Sequence, residues 1–249
     1  MNRLMWIGLI VFSAPLFAQS TIPAGTVIPV ALNSSLNSRK IKPGQVFTAR
    51  VMQDVPLSPK WKIHAGAKVV GRVIDVQPAN GAQRAHVSFR FDALLVSGRR
   101  LPVIANLRSL ASMMAVEEAQ IPQSGPDRGT SQDAWTTVQI GGEVVYRAGG
   151  PVVNGLRIVG KPAADGVLVR VASRPGTMCR GEIDANDRLQ ALWVFSSDAC
   201  GTYDLPDVAI AHAGRTNPVG EIELLSRKGD LNIRAGSGML LRIDNEDPE

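Results

Sequence analysis

The sequence predicts an all-β protein, an antiparallel barrel or sandwich of short strands. Short β-branched runs recur between turns, with 24 Gly and 16 Pro in 249 residues. Apolar and polar residues alternate cleanly from Ala85 to Phe91, with Val87, Phe89 and Phe91 inward and His86, Ser88 and Arg90 outward. One phrase is stated twice: Ala24-Gly25 and Ala65-Gly66 each precede a β-branched run. A chain of this length buries one large core or two smaller ones.

The N-terminus reads as an export signal. Met1-Asn2-Arg3 is a short positive region, Leu4 to Ala14 is apolar, and Ala18 offers a small residue at a cleavage point before Gln19. Residues 1–18 are therefore predicted to be a signal peptide, with an uncleaved anchor as the alternative. The expected location is the periplasm or outer cell envelope, with no transmembrane helix after leader cleavage. Net charge is +5, or +4 once Arg3 is removed (5 − 1 = 4). That excess is compatible with a plain soluble surface and does not favour nucleic acid. Cys179 and Cys200 are the only cysteines. An oxidising compartment favours pairing them, closing a loop worth about 3 kcal/mol.

In chain order, Thr26 to Leu32 reads as a strand, and Pro29 makes it an edge strand or bends it. Gln45 to Val55 is the next, followed by a turn over Pro56 to Lys60. Lys68 to Val76 and Ala85 to Phe91 come next. Leu94 to Val96 and Leu101 to Ile104 form a hairpin around Ser97 to Arg100. Leu107, Leu110, Ala111 and Met114 fall at helical spacing, predicting a short helix over 106–119. Residues 120–134 are polar and rich in Pro, Gly and Ser, the composition of a linker or long loop.

Strand patterns resume at Trp135. Gly141-Gly142, Asn154-Gly155 and Asp165-Gly166 are predicted hairpin turns. Ala191 to Phe195 is predicted to be a buried strand inside the disulfide loop. Glu221 to Leu225, a turn at Arg227 to Asp230 and Leu231 to Ile233 read as a further hairpin, before Met239 to Ile243. The expected organisation is a β-domain over 19–119, a linker over 120–134 and a disulfide-bearing β region over 135–249. Strands in 231–243 could instead pair with the first domain, making the middle an insertion.

IPAGTVIPV, PGQVFTARVMQDV and HAGAKVVGRV, with the closing LNIRAGSGMLLRI, resemble the C-terminal β-domain of TrbI-like channel subunits of type IV secretion systems. The likeness spans residues 22–104 and 231–243. It implies an envelope-located β-domain acting as a scaffold or assembly partner, with other envelope proteins or further copies of itself as partners. Where the family carries an inner-membrane helix and a Pro-rich spacer, this sequence is expected to have a leader. Residues 106–119 are too short and polar to serve as the family's apolar antenna, and Trp135 to Gly220 matches no part of the family.

Catalytic and metal motifs are sparse. His64, His86 and His212 lack metal-ligand spacing. Asp184, Asn186 and Asp187 suggest a calcium loop, but Leu189 and Phe195 stand where an EF-hand needs Gly and Glu. Asp198, Asp207, His212 and Ser196 or Ser197 are the only candidates for a hydrolytic set. No nucleotide-binding glycine motif is present, so no cofactor is predicted. Arg84, Arg90, Arg99 and Arg100, with Arg108 nearby, form a candidate face for glycan, lipid headgroups or another anionic ligand. Three readings stand: a non-catalytic envelope scaffold, a binding module for an anionic ligand, and a hydrolase.

Overall fold

The computed structural model describes residues 21–124, 131, 135–171, 179, 188–213 and 218–244. The expected leader, most of the 120–134 linker and the acidic triplet around Asp184 lie outside the described residues.

The N-terminal half is built of β1 (Val27–Leu32), β2 (Leu36–Asn37), β3 (Val46–Val51), β4 (Val55–Ser58) and β5 (Trp61–Ile63), then β6 (Lys68–Gln77), β7 (His86–Val96), β8 (Arg99–Pro102) and β9 (Ile104–Ala111). Helix α1 (Met113–Gln120) follows. A run of short strands comes next: β10 (Thr136–Val138), β11 (Val144–Tyr146), β12 (Val152–Asn154), β13 (Arg157–Ala163), β14 (Gly166–Val169) and β15 (Gln190–Ala191). The chain closes with β16 (Gly201–Tyr203), β17 (Val208–Ala211), β18 (Ile222–Ser226), β19 (Asn232–Ile233) and β20 (Gly238–Asp244).

The fold class is all-β, as predicted. Ten strands form a barrel-like sheet in the order β16-β9-β20-β1-β3-β6-β7-β18-β17, with β8 beside β7. The two ends of this order nearly meet, since Thr202 Oγ1 on β16 donates to the Val208 carbonyl on β17 at 3.1 Å. Every pairing is antiparallel except β16 with β9, which is parallel and makes the sheet mixed. Strands β10 to β15 form a second, six-stranded sheet in sequence order. The region expected over 135–249 is thus divided, because β16, β17, β18 and β20 all belong to the first sheet. Strand β20 lies between β1 and β9, so the closing segment does pair with the opening one.

Strands β1, β9 and β20 are buried on both faces. Ile28, Val30, Met239, Leu241 and Leu107 enter the barrel core, where Phe47, Phe89 and Phe91 also meet. Val27, Ala31, Leu240 and Ala111 point the other way, against Val145, Val167, Val169 and Leu192 to Phe195. Gln53 couples the two layers. Its Oε1 accepts from the Trp193 N–H at 2.6 Å and its Nε2 donates to the Val167 carbonyl at 2.8 Å.

Several local predictions need correction. Residues 106–111 are strand, and the helix begins only at Met113, capped by Ser112, whose Oγ accepts from the Ala115 N–H at 3.0 Å. Burial of β9 on both faces removed the period-2 contrast, so its leucines mimicked helical spacing. Pro29 sits in an interior strand. Its carbonyl accepts from Met52 N–H, and its missing donor faces the same residue just past the end of β3, so the ladder forgoes one bond at its end and none within it. The predicted 45–55 strand is two, β3 and β4, with the following turn at Pro59-Lys60. Leu192 to Phe195 are buried but not extended, because Trp193 takes φ +53 in a turn between the layers.

In the second sheet two turns lie one residue away from their predicted positions. Asn154 pairs with Arg157, so the β12–β13 turn is Gly155-Leu156; positive φ at Gly155 alone fits a type II′ turn. Ala163 pairs with Gly166, so the next turn is Ala164-Asp165. Strand β19 pairs with β2 and does not return along β18. The disulfide joins Cys179 and Cys200 as predicted. Among the described residues no helix is long and apolar enough to cross a membrane.

Candidate functional site

The strongest charge feature is assembled by strand register. In the antiparallel pairs Arg50 stands opposite Lys68, Lys68 opposite Leu95, and Leu95 opposite Arg100. Paired residues share a face, so three cations stand in one row across β3, β6 and β8. A second row places Arg72 opposite Arg90. Arg50, Lys68, Arg72, Arg90 and Arg100 are all exposed. Two like charges directly opposite would repel. A β-bulge answers this: Val70 pairs with Ala93 and Gly71 with Phe91, leaving Asp92 as the extra residue. The bulge brings the Asp92 carboxylate to 2.9 Å from Arg90 Nε and 3.4 Å from Arg72 Nε.

Farther along the same outer face the sign reverses. Asp75 pairs with Ser88, and Ser88 with Glu223. Asp75 Oδ2 lies 2.7 Å from His86 Nε2. The hydrogen bond from His86 is the main cause that holds the Asp75 carboxyl below its usual range. Ser88, predicted outward and polar, is on that face but buried, because its hydroxyl donates to the Glu221 carboxylate.

The predicted arginines separate. Arg90 and Arg100 belong to the cationic face. Arg84 is exposed but precedes β7, beyond the Asn80–Gln83 bridge, and does not share a strand face with Arg90. Arg99 pairs with Val96 across the type I′ turn at Ser97-Gly98, on the side opposite Arg100. Charged residues and Pro102 on β8 also suit an edge strand, where they discourage pairing with another chain. Arg108 is buried at 1% exposure as the extra residue of a bulge in β9, and its Nε donates to the Ala199 carbonyl at 2.8 Å. Arg50, Lys68 and Arg72 were missed. Each occupies an outward position of its strand, but nothing local says which strands are neighbours.

The candidate hydrolytic set does not assemble. Ser196 Oγ donates to Asp198 Oδ1 at 2.9 Å, while Ser197 Oγ donates to the buried Glu143 carboxylate. Glu143 also accepts from the Ser197 N–H at 2.9 Å and from Asn154 Nδ2 at 3.1 Å, so it holds a turn against β12. His212 is exposed at φ +55 and bonds neither serine. His64 and His86 each lie against a single aspartate, Asp54 and Asp75. What the outer face can do chemically is bind: it offers a polarised surface with five cations at one end. Comparison with protein-family models, curated proteins and solved structures finds no significant match to this chain.

Proposed function

We propose that this chain is an exported, non-catalytic β-protein of the cell envelope that serves as an assembly partner, docking its cationic sheet face on an acidic surface of another envelope protein. The observation that carries the reading is the cross-strand set Arg50, Lys68, Arg72, Arg90 and Arg100, with only Asp92 set between two of them. A broad sheet face with Val46 and Val70 among the charges suits a protein surface. It suits a sugar chain less, because no aromatic ring stands on it for stacking. The Cys179–Cys200 disulfide supports an oxidising compartment. The likeness of residues 22–104 to a secretion-channel β-domain supports the envelope as its site of work.

Native-size analysis of envelope extracts tests this. The protein should run in a larger complex at low salt and leave it near about 0.5 M salt, where screening shortens the Debye length to a few ångströms. Lys68→Glu with Arg100→Glu, two exposed residues outside the Asp92 pairs, should abolish the complex without changing the fold. A complex unaffected by both treatments, or a monomer at low salt, overturns the reading. Loss of the complex on removing lipid or glycan, with proteins left intact, would assign the face to those ligands instead.

A further inference from the structure

Away from the row of cations, Trp135, Arg147 and Trp193 border a cleft of about 460 Å³ that Met52 also lines. Small-molecule sites commonly fall between about 300 and 1,000 Å³ and combine apolar walls with a few fixed polar groups. The exposed Trp135 ring, Met52 and Pro122 are among its apolar lining, and Trp193, whose ring is buried in the core between the sheets, borders its floor. The polar group is Arg147. Its Nε donates to Thr137 Oγ1 at 2.9 Å and its Nη1 to the Gly166 carbonyl at 2.8 Å. Both acceptors are neutral, and no carboxylate lies within ion-pair distance of the guanidinium among the described residues. Burial pushes the Arg147 guanidinium below its usual pKa, the sign of a cation whose lost hydration is not made good by a counter-charge.

We infer that this cleft binds a small monoanionic carboxylate with an apolar body, its carboxylate on Arg147 Nη2 and its body against Trp135 and Met52. Two bonds already fix the guanidinium plane, leaving Nη2 with no partner among the described residues, so an incoming carboxylate gains charge-assisted bonds at little ordering cost. Asp165, the one carboxylate lining the cleft among the described residues, is exposed and disfavours a second negative charge on the ligand. The floor is preformed. Gln53 holds the Trp193 and Val167 backbones, and a Cβ on Gly166 would stand 2.3 Å from Gln53 Oε1 and 2.5 Å from Trp193 Cα. This inference does not rest on the docking face, and Lys68→Glu with Arg100→Glu should leave it unchanged.

Two of the four tryptophans line the cleft, so intrinsic fluorescence reports on it directly. Titration of the full chain with 4-phenylbutyrate at pH 7 should give a saturable fluorescence change, confirmed by calorimetry. The neutral analogue 4-phenylbutan-1-ol should bind at least about tenfold more weakly, since it cannot accept charge-assisted bonds from the guanidinium. Arg147→Gln should erase the preference for the acid, with a melting curve to establish that it is folded. The acid–alcohol comparison needs no variant, so it decides the matter even if Arg147→Gln does not fold. Equal affinity for acid and alcohol, or no saturable change with the acid up to about 10 mM, overturns the inference.

Discussion

Asp54 ties the loop after β3 to the turn at Ala65-Gly66. Its carboxylate accepts from Lys62 Nζ at 2.6 Å and from the Ala65 N–H at 2.9 Å. The lysine bond first, then the backbone bond, hold its pKa below the usual carboxylate value. A carboxyl with a depressed folded pKa adds stability that is full above its unfolded value, about 3.9, and is lost as pH falls through the folded value. At 41% side-chain exposure, water and salt screen the interaction, and its worth is about 0.5 kcal/mol. Asp54→Asn should therefore unfold at slightly lower urea than the unaltered chain at pH 7. The gap should narrow as the pH falls below about 3.9, and a gap of constant size across that range would refute the assignment. Residue-scale logic also separates Arg99 from Arg100. Adjacent strand residues face opposite ways, so only one of two neighbouring arginines joins the cationic face.

At the scale of elements, β6 shows how one missing side chain organises a core. A Cβ on Gly71 would stand 2.5 Å from Phe47 Cζ and 2.9 Å from the Arg90 carbonyl oxygen. The Phe47 ring is held edge-on to Phe89 and Phe91, with centroids 5.4 and 5.5 Å away, and it has nowhere to withdraw. Gly71→Ala should overpack this site at a cost of about 1–3 kcal/mol. Urea unfolding would read it as a lower midpoint at unchanged slope; a midpoint equal to that of the unaltered chain would show that the ring yields freely. The bulges act at the same scale. One extra residue in β7 aims Asp92 between two arginines, and one in β9 sends Arg108 into the interior instead of onto the surface.

For the whole molecule, the decisive contact joins the two ends of the described chain. Strand β20 pairs with β1 from Val27 to Ala31 and with β9 from Ile104 to Ala111, and six of its seven residues are buried. A chain ending before Gly236 would leave β1 and β9 with open edges and expose both cores along them. Such a truncation should show no cooperative thermal transition. A sharp transition near that of the full chain would mean that the remaining strands close without β20. The second sheet depends on the same arrangement, since Leu240 and Ala111 supply part of the surface it covers.

Much of this was readable from local pattern alone. Alternation identifies most of the strands and the inward residues Phe47, Val87, Phe89 and Phe91, because a period of two is a property of each strand by itself. Two cysteines admit one intramolecular pairing. Alternation also assigns Arg50, Lys68, Arg72, Arg90 and Arg100 to outward positions, one strand at a time. Only the tertiary structure decided that these positions are neighbours, since sheet order and register depend on partners far away in sequence. The same cause hid β9, whose burial between two layers erased the contrast that marks a strand. It hid the cleft as well, because Thr137, Arg147 and Gly166 lie on separate segments that only the pairing of the second sheet brings together, and Met52 reaches them from the first.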